Sequence, residues 1–233
     1  MRRNGDLPER LNLGCGPAAP PGWLNVDGSW NAWFARHGHL RSALDAVGII
    51  SRNQPTQWKV APLVHDLTTP LPFRDNTFSA IYASHVLEHL YRVQAQRLLA
   101  ECKRVLKPAG VIRLVVPDLY SMAAAYLKSK NGADPSAWEE RATAADHLNQ
   151  RLGFRSPEPL PGNVFYRLYS AWKDFHVHKW MYDIDSLKHY TERAGFREVS
   201  AKQFLESDIE GIAEVEDSRR ILDGAGICIE GRK

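Results

Sequence analysis

Residues 11–17 have the sequence Leu11-Asn12-Leu13-Gly14-Cys15-Gly16-Pro17, an apolar stretch that ends in a Gly-x-Gly turn. Two later apolar runs each end in an acid, Asp27 after Val26 and Asp66 after Val64-His65. Glycine adopts positive φ values and lets a backbone approach a ligand closely. Acids at strand ends can accept hydrogen bonds from ribose hydroxyls and from an adenine amine. The combination predicts a binding site for an adenosine-containing cofactor.

Length and composition indicate one α/β domain. The chain has 233 residues, 44% of them hydrophobic, and a formal net charge of +3. This charge is too weak and too dispersed to predict a nucleic-acid partner. No apolar run approaches about 18 residues, so no membrane span is expected, and no secretory leader is recognised. The cysteines lack Cys-x-x-Cys spacing, which favours reduced thiols and a cytoplasmic location; they are Cys15, Cys102 and Cys228.

Strand-like and helix-like patterns alternate along the chain, which is typical of a doubly wound, largely parallel sheet. The predicted strands are Leu11–Gly14, Trp23–Asp27, Val60–Asp66, Phe78–Ala83, Val111–Val116, Arg197–Phe204 and Gly226–Glu230. The predicted helices are Trp30–Ile50, Leu87–Leu106, Leu119–Ser129, Ser136–Leu152 and Ile184–Ala194. The proline-rich bridge Pro17–Gly22 is too short for more than a single helical turn.

With these elements in place, the chain resembles the class I S-adenosylmethionine-dependent methyltransferases. It is most similar to the small bacterial type, which has a His-Val-Leu-Glu-His segment and a Leu-Lys-Pro-Ala-Gly turn, here residues 85–89 and 106–110. The resemblance covers residues 10–120 well and 176–196 more loosely. It implies one domain over residues 1–233, with a Rossmann-like, mostly parallel seven-stranded sheet. Departures are the shortened first crossover and helical insertions at 30–58 and 119–175.

The resemblance also implies roles for individual residues. Gly14, Cys15 and Gly16 match the glycine turn beside the methionine part of the cofactor. Asp27 matches the acid that holds the ribose hydroxyls, and Asp66 with Leu67 matches the adenine contact. His85 follows the fourth strand, where such enzymes face the methyl group and the cofactor carboxylate.

A group of titratable residues follows the fourth strand. If a helix begins near Val86, then His85, Glu88 and His89 share one face. His85 is expected to contact cofactor or acceptor, with helix capping as the structural alternative. Glu88 is either an acceptor contact or a solvated first-turn carboxylate, and His89 is more typical of a structural residue. Asp118, after the fifth strand, is either an acceptor contact or the N-cap of the next helix.

A second group occupies residues 175–182. Alternation along an extended segment would place His176, His178, Trp180 and Tyr182 on one side. They could line an acceptor pocket, with His176 or His178 as general base. The alternative is an edge strand or loop whose aromatic residues cover the sheet. No cysteine or carboxylate at ligand spacing completes the His-x-His pair, so no metal site is predicted.

We therefore expect an enzyme that methylates a small-molecule or sugar-like acceptor, at oxygen, with a histidine as base. A catalytically silent cofactor-binding or interaction module is the second hypothesis, and it would have no need for histidines around one cleft. A nicotinamide-dependent oxidoreductase is disfavoured, because the crossover is short and Ala19 replaces the third glycine of G-x-G-x-x-G. The sequence does not indicate whether the chain forms oligomers.

Overall fold

The computed structural model describes residues 7–37, 39, 58, 60–132, 138–153 and 177–233. Within them, one sheet has the strand order β3-β2-β1-β4-β5-β7-β6. Strands β1 to β5 are mutually parallel, whereas β7 runs antiparallel to both β5 and β6. The strands are β1 Arg10–Leu13, β2 Leu24–Asp27, β3 Leu63–Val64, β4 Phe78–Ser84, β5 Leu106–Val116, β6 Arg197–Ala201 and β7 Ile227–Arg232. The predicted seven-stranded, mostly parallel Rossmann-like sheet is confirmed.

Five α-helices lie in the described part of the chain. They are α1 Trp30–Arg36, α2 Arg92–Val105, α3 Leu119–Lys130, α4 Trp138–Arg151 and α5 Ile184–Arg193. The bridge between β1 and β2 contains only a three-residue 3-10 turn at Gly16–Ala18, so its predicted shortness is confirmed. The helix predicted over Trp30–Ile50 begins as expected, but residues 40–57 lie outside the described residues.

The two faces of the sheet are covered differently. Alternate residues of β4 enter two separate clusters, because side chains of a strand alternate between faces. Ile81 and Ala83 join the larger cluster, together with the buried stripe of α2. Ala80 and Tyr82 join a smaller cluster whose cover comes from Ile209, Ile212 and Ile221, in the connection between β6 and β7.

Several predicted boundaries are wrong. The helix predicted over Leu87–Leu106 is interrupted: a 3-10 turn covers Leu87–His89, Leu90 and Tyr91 are extended, and α2 begins at Arg92. The third strand has two residues instead of seven, because only Leu63–Val64 pairs with β2. The fifth strand begins at Leu106, so the predicted turn at residues 107–110 is part of β5.

The topology brings the carboxyl ends of β1 to β5 to one edge of the sheet. Leu13 is in register with Val26 of β2 and with Ala83 of β4. Gly14 and the residues after Ser84 are therefore neighbours, although about 70 residues separate them in the sequence. No helix among the described residues combines the length and apolar character needed to cross a bilayer.

Candidate active site

The glycine turn after β1 is packed on one side and open on the other. Gly14 and Gly16 have φ values of 62° and 57°, in the left-handed region. A Cβ at Gly14 would lie 2.4 Å from Val86 Cγ2, so the turn fits closely against the segment after β4. A Cβ at Gly16 would meet no described atom within 4 Å. Space for a ligand therefore adjoins the second glycine.

Asp27, at the end of β2, fixes this turn. Its side chain is buried, with Oδ2 accepting from the Gly16 amide at 2.9 Å and Oδ1 from the Ser29 amide at 2.8 Å. Each carboxylate oxygen has a second lone pair that can accept from a hydroxyl. Asp27 can thus hold the glycine turn and still accept from ribose hydroxyls, so these residues fit an adenosine-containing cofactor.

Cys15 lies between the two glycines and is not a nucleophile. Burial, and then the negative charge of Asp27, raises the pKa of its thiol far above the ordinary value. The thiol therefore stays neutral, whereas a reactive cysteine needs a stabilised thiolate. Its amide donates to the Val26 carbonyl at 3.2 Å, which ties the turn to β2.

The adenine side is formed by the residues after β3. Asp66 is exposed, and its Oδ1 accepts from the amide and the hydroxyl of Thr68 at 2.9 and 2.8 Å. Leu67 packs against the main core. The amide of His65 donates to the Asp27 carbonyl at 3.3 Å, so the ends of β2 and β3 lie together.

His85 has the most unusual backbone in the site. Its φ is 55°, a left-handed conformation that is uncommon for any residue other than glycine and concentrates at functional sites. Its amide donates to the Val115 carbonyl at 2.9 Å, which anchors it to β5. Its ring Nδ1 lies 3.0 Å from Oε1 of Glu88, a carboxylate with no solvent exposure.

The predicted contact among His85, Glu88 and His89 arises from a tight 3-10 turn, not from one face of a long helix. The same turn binds the distant segment that contains His178. The Glu88 carbonyl accepts from the amides of Lys179 and Trp180 at 2.6 and 3.3 Å. The rings of His89 and His178 are edge to face, with centroids 4.9 Å apart.

A cavity of about 530 Å³ lies beside this cluster, on the side of α3 and α4. It is lined by both described candidate bases, His85 and His178. Other lining residues are Met122, Arg151, Arg219 and Asp223. The sequence indicates none of these four, because Met122 and Arg151 lie in ordinary helix patterns and the 206–225 connection has no periodicity that indicates its position.

The expectation that residues 176, 178, 180 and 182 share one face is wrong for Trp180 and Tyr182. Trp180 is 39% exposed and lies under the guanidinium of Arg92, 5.2 Å from ring centroid to Cζ. Tyr182 is 2% exposed and belongs to the main core, and its backbone forms an isolated bridge with Asp118. Their contacts with an acceptor stay predictions, and His176 lies outside the described residues.

Asp118 is the N-cap of α3. Its carboxylate accepts from the amides of Tyr120 and Ser121 at 3.0 and 3.2 Å, and from the Ser121 hydroxyl. This was the structural alternative considered for Asp118 from the sequence. A contact between Asp118 and an acceptor stays a prediction.

Comparison with known proteins gives one family match and several distant structural likenesses. Residues 11–114, which include the glycine turn, Asp27, Asp66 and His85, match the family model described as "Methyltransferase domain". No curated protein matches the sequence. A methyltransferase from Archaeoglobus fulgidus, described as SAM-dependent, is 18% identical over 98% of this chain and 87% of its own, with a TM-score of 0.48. The YcgJ protein of Bacillus subtilis is 15% identical over 98% and 94%, with a TM-score of 0.46.

Proposed function

We propose that this chain, whose residues 11–114 match a methyltransferase domain, uses S-adenosylmethionine to methylate an oxygen of a small-molecule or sugar-like acceptor. The observation that carries the proposal is the cavity of about 530 Å³ that His85 and His178 line. Small-molecule sites have volumes of about 300–1,000 Å³. Its lining combines apolar residues, among them Pro117, Met122 and Leu222, with histidine, arginine and aspartate, which suits an acceptor that has an apolar body and a polar group.

The cofactor is proposed to lie over the glycine turn, at the carboxyl ends of β1, β2 and β3. Gly16 leaves room for its methionine part, Asp27 accepts from the ribose hydroxyls, and Asp66 with Leu67 contacts the adenine. Its sulfonium supplies the methyl group. Because Gly14 contacts Val86, the methyl group would be presented close to His85, at the mouth of the acceptor cavity.

His85 is the base that the geometry favours. When bound, the cofactor would supply the methyl group, and an acceptor hydroxyl would have to give up its proton. His85 would take this proton on Nε2, whose contact with the Arg220 carbonyl is a long one of 3.4 Å. Glu88, 3.0 Å from Nδ1, stabilises the positive charge that the ring then acquires. His178, on the same cavity, and His176 stay as the alternative bases.

The helical insertion at 119–175 is proposed to shape the acceptor side of the site. Met122 of α3 and Arg151 of α4 both line the cavity. Arg151 also donates to the Gly224 carbonyl at 3.3 Å, so α4 is joined to the connection between β6 and β7. Changes in these helices should therefore alter the choice of acceptor before they alter affinity for the cofactor.

The test combines calorimetry with a turnover assay. We expect S-adenosylmethionine and S-adenosylhomocysteine to bind and NAD not to bind. A panel of phenols and sugars should then contain compounds that accelerate release of S-adenosylhomocysteine. His85→Asn should lower turnover by roughly 100- to 10,000-fold, the contribution of a general base, with cofactor affinity retained, because asparagine tolerates the left-handed φ.

His189→Asn is the matched control, since this histidine is exposed on α5, away from the cavity. Tight binding of NAD without either sulfur ligand would contradict the whole proposal. Cofactor binding without turnover on any acceptor would favour the silent module. Full turnover in both His85→Asn and His178→Asn would exclude the described histidines as bases.

A further inference from the structure

A partly buried cluster beside the cavity has the composition of a metal site. Glu88, His89 and His178 each offer one ligand atom, and the three atoms lie within 4.8 Å of one another. Two of these residues are adjacent in the 3-10 turn after β4, whereas the third lies some 90 residues later. No carboxylate therefore lies at ligand spacing from His178 along the sequence, and only the fold brings Glu88 close to it.

Glu88 is the residue that most needs a partner. Its side chain is fully buried, and among the described residues neither carboxylate oxygen accepts a hydrogen bond. His85 Nδ1 lies 3.0 Å from Oε1, a contact that supplies electrostatic attraction. A carboxylate in such surroundings is strongly destabilised unless it is paired or coordinates a metal.

His178 is likewise held in place with an unused nitrogen. Its Nδ1 is buried and has no hydrogen-bond partner among the described residues. Its amide donates to the Gly153 carbonyl at 3.1 Å, and a Cβ at Gly153 would lie 2.4 Å from the same Nδ1. Gly153 therefore allows the ring to approach the chain just after α4, and a ring nitrogen lies within 4.8 Å of a Glu88 oxygen.

His89 has the arrangement found for many metal-binding histidines. Its Nδ1 lies 3.4 Å from the Val177 carbonyl, a long contact that favours the tautomer with hydrogen on Nδ1. In that tautomer Nε2 is the ring nitrogen that could coordinate an ion. Metal-binding histidines commonly direct their second nitrogen to a backbone carbonyl or a carboxylate, which fixes the ring for coordination.

We propose that Glu88, His89 and His178 bind one divalent transition-metal ion, with Zn²⁺ as the best match. Two imidazoles and one carboxylate form a ligand set of catalytic zinc sites that keep an open position. Imidazole nitrogen suits zinc and its neighbours, whereas Mg²⁺ and Ca²⁺ prefer oxygen ligands. A single Glu oxygen with two nitrogens is therefore a poor site for either of those ions.

The position of the ion has a consequence for the reaction, and this consequence rests on the proposed function. His178 lines the acceptor cavity, so the open coordination position would be available to an acceptor oxygen. Coordination to Zn²⁺ lowers the pKa of a bound hydroxyl. The ion itself would thus activate the acceptor oxygen, because a cation on Glu88 disfavours a second positive charge on His85, 3.0 Å from the same carboxylate. The metal site itself needs no acceptor.

The test is a zinc titration of the full chain, without an affinity tag and after treatment with a chelator. Zinc affinity is measured by competition with a chromophoric chelator, and Co²⁺ absorption reports coordination by nitrogen and oxygen ligands. We expect one ion per chain. Glu88→Gln and His178→Ala should each weaken zinc binding by more than about 100-fold, since loss of partners that only orient ligands already costs 10- to 100-fold.

His189→Ala, which removes an exposed histidine of α5, is the matched control and should bind zinc like the unaltered chain. If Glu88→Gln does not fold, as judged by circular dichroism, His178→Ala and His89→Ala carry the test. Equal zinc affinity in the unaltered chain and in His178→Ala would overturn the proposal, as would the absence of stoichiometric binding. Calorimetry with S-adenosylmethionine on the same samples separates this failure from failure of the proposed methyl transfer.

Discussion

Gly14 and Gly16 have nearly the same backbone conformation, but their surroundings differ, so the same substitution should act differently at each. Alanine at a left-handed φ costs about 1–2 kcal/mol. At Gly14 the added methyl would also overlap Val86 Cγ2, and overpacking costs about 1–3 kcal/mol more. At Gly16 the methyl would occupy the open space proposed for the cofactor.

We therefore expect Gly14→Ala to lower the free energy of unfolding more than Gly16→Ala does. Gly16→Ala should instead lose more affinity for S-adenosylhomocysteine than its stability change explains. Chemical denaturation and calorimetry on both variants make the comparison. Val86→Ala should partly restore the stability of Gly14→Ala, and a lack of any recovery would show that the contact with Val86 is not the cause.

Asp27→Ala tests the proposed ribose contact. Loss of charged hydrogen bonds should weaken cofactor binding by about 1–3 kcal/mol, roughly 5- to 150-fold. The same variant frees the amides of Gly16 and Ser29, so a decrease in stability is expected as well. Calorimetry must be run where the variant is fully folded, and unchanged affinity there would refute the ribose assignment.

The cofactor side of the site could be predicted residue by residue, whereas the cluster of Glu88, His89 and His178 could not. One short segment of sequence contains Gly14, Gly16 and Asp27, and the backbone conformation that it requires depends on neighbouring residues. The approach of His178 to Glu88 depends on a contact across some 90 residues, through Lys179 and Trp180 on the Glu88 carbonyl. No local pattern records such a contact.

At the scale of single elements, α2 shows where periodicity fails. Leu87 and Leu90 are three residues apart, which fits a helix, yet Leu90 has φ −105° and ψ 146°. The helix restarts because the Tyr91 amide donates to the Gln94 side chain at 3.0 Å. The break lets the 3-10 turn direct Glu88 inwards. The spacing of hydrophobic residues does not reveal the break, because the 3-10 turn and the helix after it both bury their leucines.

The N-cap of α3 gives a prediction for one element. Asp118→Ala removes two hydrogen bonds from the first turn, and we expect a loss of about 1 kcal/mol. Asp118→Ser should recover most of this stability, because serine also caps helices. Asp146→Ala, at an exposed position within α4, is the control in the same denaturation series.

The pair of Asp118 variants also separates capping from an acceptor contact. If Asp118 only caps α3, then Asp118→Ser should restore turnover together with stability. If the carboxylate also contacts the acceptor, as the sequence suggests, Asp118→Ser should be stable and still have a raised KM. A stable Asp118→Ser with unaltered kinetics would rule out the acceptor contact.

For the molecule as a whole, Arg113 joins the sheet to the wall of the cavity. It lies on β5 with no solvent exposure, 2.6 Å from Glu216 and 2.9 Å from Glu230. It also donates to the carbonyls of Glu206 and Gln203 at 2.7 and 2.8 Å. The connection held in this way continues into Arg220, which donates to the Ser84 carbonyl next to His85. The sequence did not predict this because the paired residues lie about 100 positions apart.

Arg113→Met should therefore be the most destabilising of these substitutions. Methionine leaves two buried carboxylates unpaired, and breaking a buried ion pair in this way costs about 3–5 kcal/mol. Arg219→Met removes an arginine that is paired with Asp217 but 86% exposed, so the free energy of unfolding should stay unchanged. Combining Arg113→Met with Glu216→Gln and Glu230→Gln should recover much of the loss, because no unpaired charge then stays buried. Urea denaturation of the unaltered chain and the three variants tests this explanation. If the triple variant is no more stable than Arg113→Met, then the destabilisation comes from loss of the Arg113 contacts with the carbonyls of Glu206 and Gln203, and not from the unpaired buried carboxylates.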